Sequence, residues 1–109
     1  MEIDWHWILN DGTYVLSGAW GMLEMERIQS WVPPPLEGQV VLHLDDVEIV
    51  SGEAMAMCIT WIRGLCQRDL TLVLVRAPQM LAHTLYKTNM LNTCKIKLIS
   101  PREDSGIGI

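Results

Sequence analysis

The residue types able to do covalent or metal chemistry are few in this chain and scattered along it. Cys58, Cys66 and Cys94 are its three cysteines, and their spacing matches no metal-binding pattern. Two of them fall inside one helical pattern, and no activating base lies near in sequence, so small buried apolar roles in a reducing compartment are expected. His6, His43 and His83 share no motif; His43 sits inside an apolar run, where a neutral, hydrogen-bonded imidazole is expected. Asp45, Asp46 and Glu48 crowd three acids into four residues, without the spread of ligands a divalent cation needs, so a solvated loop is expected and no metal. Met55 and Met57 read as core or as an adaptable contact surface. There is no Gly-rich phosphate loop and no Ser-His-Asp arrangement, so neither an enzyme nor a cofactor is expected.

What remains is contact chemistry, and the stretch that must position it is Val40 to Arg68. Val40 to Leu44 is β-branched and leucine-rich, too short for a helix and not alternating, which suits a strand buried on both faces. Asp45-Asp46 is expected to turn the chain. From Ser51 the period becomes helical through Met55, Cys58, Ile59, Ile62, Leu65 and Cys66, with Ser51 or Gly52 as N-cap, Glu53 in the first turn and an end near Gln67. Ala56, Met57, Thr60, Trp61 and Gly64 occupy the other side, where little is charged. A helix apolar nearly all round is normally buried all round, so a partner surface is expected to cover this second side.

The flanks supply the sheet. Ile3, Trp5, Trp7 and Leu9 alternate with Asp4, His6 and Ile8 as a strand, Asn10-Asp11-Gly12 signals a hairpin, and Thr13 to Leu16 returns until Ser17-Gly18. Met22 to Trp31 reads as a helix with Met22, Met25, Ile28, Gln29 and Val32 along one side, stopped by Pro33-Pro34-Pro35. Leu70 to Val75 is another buried strand. Pro78 opens a further helix with Leu81, Leu85 and Tyr86 inward and Asn89 as its left-handed end. Lys95 to Ile99 alternates like an edge strand guarded by charge. The expected fold is a single α/β domain over residues 1–109, a mixed sheet of about five strands with an N-terminal β-hairpin and about three helices.

Composition limits the function. At 109 residues, half of them hydrophobic and 19% charged, the chain has material for one globular core. No apolar run approaches the roughly 20 residues of a membrane span, and MEIDWHW lacks a basic leader, so a cytoplasmic protein is expected. A net charge of −5 argues against nucleic acid. The charge is uneven: residues 1–62 carry −9 and residues 63–109 carry +4, a split able to steer a partner or a second copy.

LSGAW at Leu16 to Trp20, VVLHLDDVEIVSG at Val40 to Gly52, and LTLVLVRAPQM followed by KTNML make the sequence resemble a STAS domain. That family includes bacterial anti-sigma factor antagonists and the cytoplasmic tails of sulphate transporters. The resemblance implies a non-catalytic module whose partner is a protein, an anti-sigma factor or serine kinase-like protein, acting in transcription regulation. In the family's switches a kinase phosphorylates the serine of an Asp-Ser pair at the start of the second helix. Here the Asp position falls on Ser51 and the serine position on Gly52, while two further family acids fall on His43 and near Gly21. A constitutive contact is therefore expected, made by Ser51, Gly52, Glu53, Ala56, Met57, Thr60 and Trp61. Two alternatives stand beside it: a STAS subunit or domain of a phospholipid-transport ABC permease, and a phospho-switch that takes phosphate on Ser51, one residue out of place. The family's terminal helix has no counterpart in Pro101 to Ile109, which is expected to leave apolar surface for a partner or a homodimer.

Overall fold

The computed structural model describes residues 6–10, 12–33 and 38–102. In chain order these form β1 (His6–Asn10), β2 (Thr13–Trp20), α1 (Met22–Ile28), β3 (Gly38–Ile49), α2 (Gly52–Cys66), β4 (Leu70–Val75), α3 (Gln79–Lys87), α4 (Met90–Thr93) and β5 (Ile96–Ile99). The expected mixed α/β architecture is present: one five-stranded sheet in the order β1-β2-β3-β4-β5, with β1 antiparallel to β2 and the other pairs parallel. Each crossover advances by one strand, and right-handed connections then lay all the helices on one face. Tyr14, Leu16, Val40, Leu42, Leu44, Leu70, Leu72, Leu74 and Ile96 point to that face and are buried beneath them. The opposite face carries half-buried Val15, Val41, His43 and Val75.

Several elements depart from the sequence expectation. Asp45-Asp46 does not turn the chain; β3 runs straight through for 12 residues. The register against β2 shifts between Val15↔His43 and Ser17↔Asp46, so β3 spends one extra residue there, a bulge that leaves both aspartates exposed and swings Val47 back into the core. β4 stops pairing with β3 at His43↔Val75. Beyond that point Arg102 takes over the vacated edge, donating from Nη1 to the Asp45 carbonyl at 2.8 Å and from Nη2 to the Val47 carbonyl. β2 continues past Ser17-Gly18 to Trp20 because Gly18 accepts a φ of +116°.

α1 ends at Ile28, earlier than expected, and Trp31 lies outside it. Tyr86 is 73% exposed, since Leu81 and Leu85 alone fill the inward positions of α3. Asn89 takes the left-handed conformation (φ 63°) read from the sequence, and the chain then forms the extra short helix α4. β5 has exposed Lys97 beside buried Ile96. His43 is half-buried on the helix-free sheet face rather than enclosed, which leaves its imidazole within reach of water. The strand expected over Ile3 to Leu9 is seen from His6; Ile3, Asp4 and Trp5 lie outside the described residues.

Candidate functional site at the carboxyl end of the sheet

Because β2, β3 and β4 run parallel, the helices that follow them all begin at one end of the molecule. Ser51 caps α2 there: its extended backbone (φ −155°, ψ 164°) lets Oγ accept from the Ala54 amide at 3.1 Å, while its carbonyl accepts from the Met55 amide at 3.0 Å. Glu53 stands in the first turn, where free amides favour an anion. α1 begins beside it. Gly21 has no side chain to cap α1, and Glu24 reaches back instead, its Oε1 accepting from the Gly21 amide at 3.0 Å. The two loops touch: the Val50 amide donates to the Trp20 carbonyl at 3.1 Å, and a Cβ on Gly21 would stand 3.4 Å from Val50 Cγ2.

Around this capped helix start, large apolar side chains are left in the open. Met22 (50% exposed), Leu23 (74%), Val50 (54%) and Met80 (64%) lie in the first turn of α1, the loop before α2 and the first turn of α3. A cavity of about 340 Å³ between the starts of α2 and α3, lined by Glu48, Ile49, Met55, Pro78, Met80 and Arg102, continues the patch. Its surroundings are acidic: Glu24, Asp46, Glu48 and Glu53 are exposed, and Asp45 pairs with Arg76 at 3.7 Å. Arg76 itself has a left-handed backbone (φ 60°) as the chain leaves β4. An apolar centre with a charged surround is the composition of a protein-contact surface.

The site residues expected from sequence divide into two groups. Gly52, Glu53, Ala56 and Thr60 are exposed along one line of α2, and nothing stands within 4 Å of where a Cβ on Gly52 would be. Ser51 and Met57 are half-buried, the Met57 carbonyl accepting from Gln29 Nε2 at 3.1 Å. Trp61 is not on the surface. It is 5% exposed, its Nε1 donates to the Trp31 carbonyl at 2.9 Å, and its ring stacks on Trp31 (6.2 Å) and meets Trp20 edge-on (6.4 Å). Tyr14 closes this aromatic cluster against Trp31 at 5.2 Å. On the second side of α2 the chain itself therefore covers Trp61 and part of Met57, against the expectation that Trp61 faces a partner, while Ala56, Thr60 and Gly64 stay exposed. The cover was hard to read in advance because Trp31 lies in the segment leaving α1, on no regular element.

Met22, Leu23, Val50 and Met80 are not among the residues expected at the site from sequence, where Met22 is only grouped with Met25 and Ile28 along one side of α1. Their signal was topological: parallel strands gather every helix start at one end, so apolar residues in first turns become neighbours. Among the described residues no three His, Cys, Asp or Glu side chains gather into a metal-binding group, and no helix is long and apolar enough to cross a membrane. No family model, curated protein or solved structure matches the chain.

Proposed function

We propose that the chain is a non-catalytic protein-interaction module of the anti-sigma factor antagonist kind, which docks through the carboxyl end of its sheet. The observation that carries this reading is the group of exposed Met22, Leu23, Val50 and Met80 around the capped start of α2. Large apolar side chains clustered at one end cost solubility unless something covers them, and the exposed line Glu53, Ala56 and Thr60 extends the same surface along the helix. The resemblance to STAS domains points to the same end of the fold. Ser51 works as a structural cap, and Gly52, at the family's acceptor position, has no hydroxyl to modify; the contact is constitutive.

Affinity capture with the wild-type chain and with a Leu23→Glu/Val50→Glu variant, both checked for folding by circular dichroism, tests the proposal. An anti-sigma factor or kinase-like partner that the variant loses supports it. A permease retained as partner favours the lipid-transport alternative, and a gain of phosphate on Ser51 in the presence of a partner kinase overturns the constitutive contact.

A further inference from the structure

The helices cover one face of the sheet, yet the other face is also built from apolar side chains. The pairing register aligns Trp7, Val15, His43, Val75 and Ile99 in one row across all five strands. Val41 and Val73 stand together in the next row, and Val73, although buried, is not part of the core under the helices. The ends of the long row are open to solvent, Trp7 at 55% exposed and Ile99 at 47%. Near-continuous apolar strands such as β3 over Val40 to Leu44 and β4 over Leu70 to Val75 are the pattern of a sheet covered on both faces. Among the described residues the helices supply one cover only.

We propose that this second face is the interface of a homodimer, in which two copies stack sheet on sheet about 10 Å apart with their strands running in opposite directions. Width favours another sheet as the cover. Five strands span roughly 24 Å, whereas a helix is about 10–12 Å across and would leave about half of the row bare. A copy of the same face covers the row from Trp7 to Ile99 and sets apolar surface over each half-buried valine.

Charge sets the direction of stacking. Exposed Asp46 pairs with Ser17 beyond the long row, toward the carboxyl ends of the strands, and exposed Lys97 pairs with Val73 on the amino side of it. A two-fold axis lying across the strands carries Asp46 away from its own mate and toward the Lys97 end of the other copy. An axis along β3 would instead set the two Asp46 side chains face to face. Area sets the strength. A patch of roughly 24 by 16 Å on each copy removes on the order of 1,000 Å² of accessible surface in total, the low end for a specific interface, so a reversible dimer with a micromolar dissociation constant is expected. Leu23 and Val50 lie in α1 and in the loop before α2, away from this face, so the dimer stands independently of the partner contact proposed above.

Sedimentation velocity of the whole chain between about 1 and 500 µM tests the proposal. The mass should rise from the 12.4 kDa monomer to twice that value. Hydroxyl-radical footprinting of the same wild-type samples should show Trp7 and Ile99 protected several-fold at high concentration, with Leu23 and Val50 unchanged. The Trp7→Lys/Ile99→Lys variant changes two positions that are about half exposed, so it should stay folded by circular dichroism and remain monomeric throughout. Leu23→Glu/Val50→Glu should dimerise like the wild type. A monomer at every concentration, a footprint on Leu23 and Val50 in place of Trp7 and Ile99, or a dimer that survives Trp7→Lys/Ile99→Lys would each overturn the proposal.

Discussion

Trp61 shows how one side chain decides between core and contact surface. Its indole packs against Trp20 and Trp31 and donates to the Trp31 carbonyl. Trp61→Ala should cost about 3–5 kcal/mol in urea denaturation, as large-to-small changes in a packed core do, and Trp61→Glu should unfold the chain. A folded Trp61→Glu protein would return this residue to the surface. Ser51 has a smaller local role. Ser51→Ala should lower stability by about 1 kcal/mol and Ser51→Asp should restore it, which thermal melts can resolve. Cys58 adds a pH dependence: burial pushes its thiol up to about 12 from the usual 9.0. Above pH 9 the unfolded chain releases this proton and the folded chain does not, so the unfolded state binds fewer protons and stability falls as pH rises toward 12. Below pH 9 the contribution is intact. Comparing alkaline unfolding of wild type and Cys58→Ala isolates it; equal slopes for the two proteins would contradict it.

At the scale of elements, legibility followed periodicity. Leu70 to Val75 and the span of α2 were read almost to the residue, because a continuous apolar run and a helical stripe with a serine cap are local signals. The bulge in β3 was not, since Asp45-Asp46 resembles a turn, and only the register of the neighbouring strand, which resumes at Ser17↔Asp46, keeps the two residues inside the strand. The order of contacts inside α2 was equally hidden: helical spacing divides its residues into sides, but which side meets Trp31 depends on a segment outside any element. The bulge also explains Arg102, whose guanidinium bridges two carbonyls that β4 no longer accompanies. Arg102→Ala should cost about 1–2 kcal/mol and speed amide exchange along Asp45 to Ile49, since charged donors make the stronger hydrogen bonds. Arg76→Ala should cost less than about 1 kcal/mol, because its pair with Asp45 is roughly half exposed on each side. The reverse order would move the support of the bulge to Arg76.

Across the whole molecule, parallel strand order is what turns scattered first-turn residues into one surface. The mixed sheet was legible in the sequence, whereas the burial of Trp61 and the exposure of Leu23 and Val50 were not, because both depend on which elements the sheet order brings together. The charge split becomes specific in the fold: Glu24, Asp46, Glu48 and Glu53 are exposed at the same end as the apolar patch, so a partner docking as proposed would carry Lys or Arg around its own apolar centre. Association should slow several-fold between about 0.05 and 0.5 M salt while dissociation changes little, measurable by surface plasmon resonance; a salt-independent on-rate would remove the acidic surround from recognition.

Hydrogen–deuterium exchange of the complex against the free chain reads the docking end directly. Slowed exchange in the first turns of α1, α2 and α3, from Met22, Ser51 and Gln79 onward, is the expected footprint. Slowed exchange confined to β1 or to the helix-free face of the sheet, with those three turns unchanged, contradicts docking through the carboxyl end.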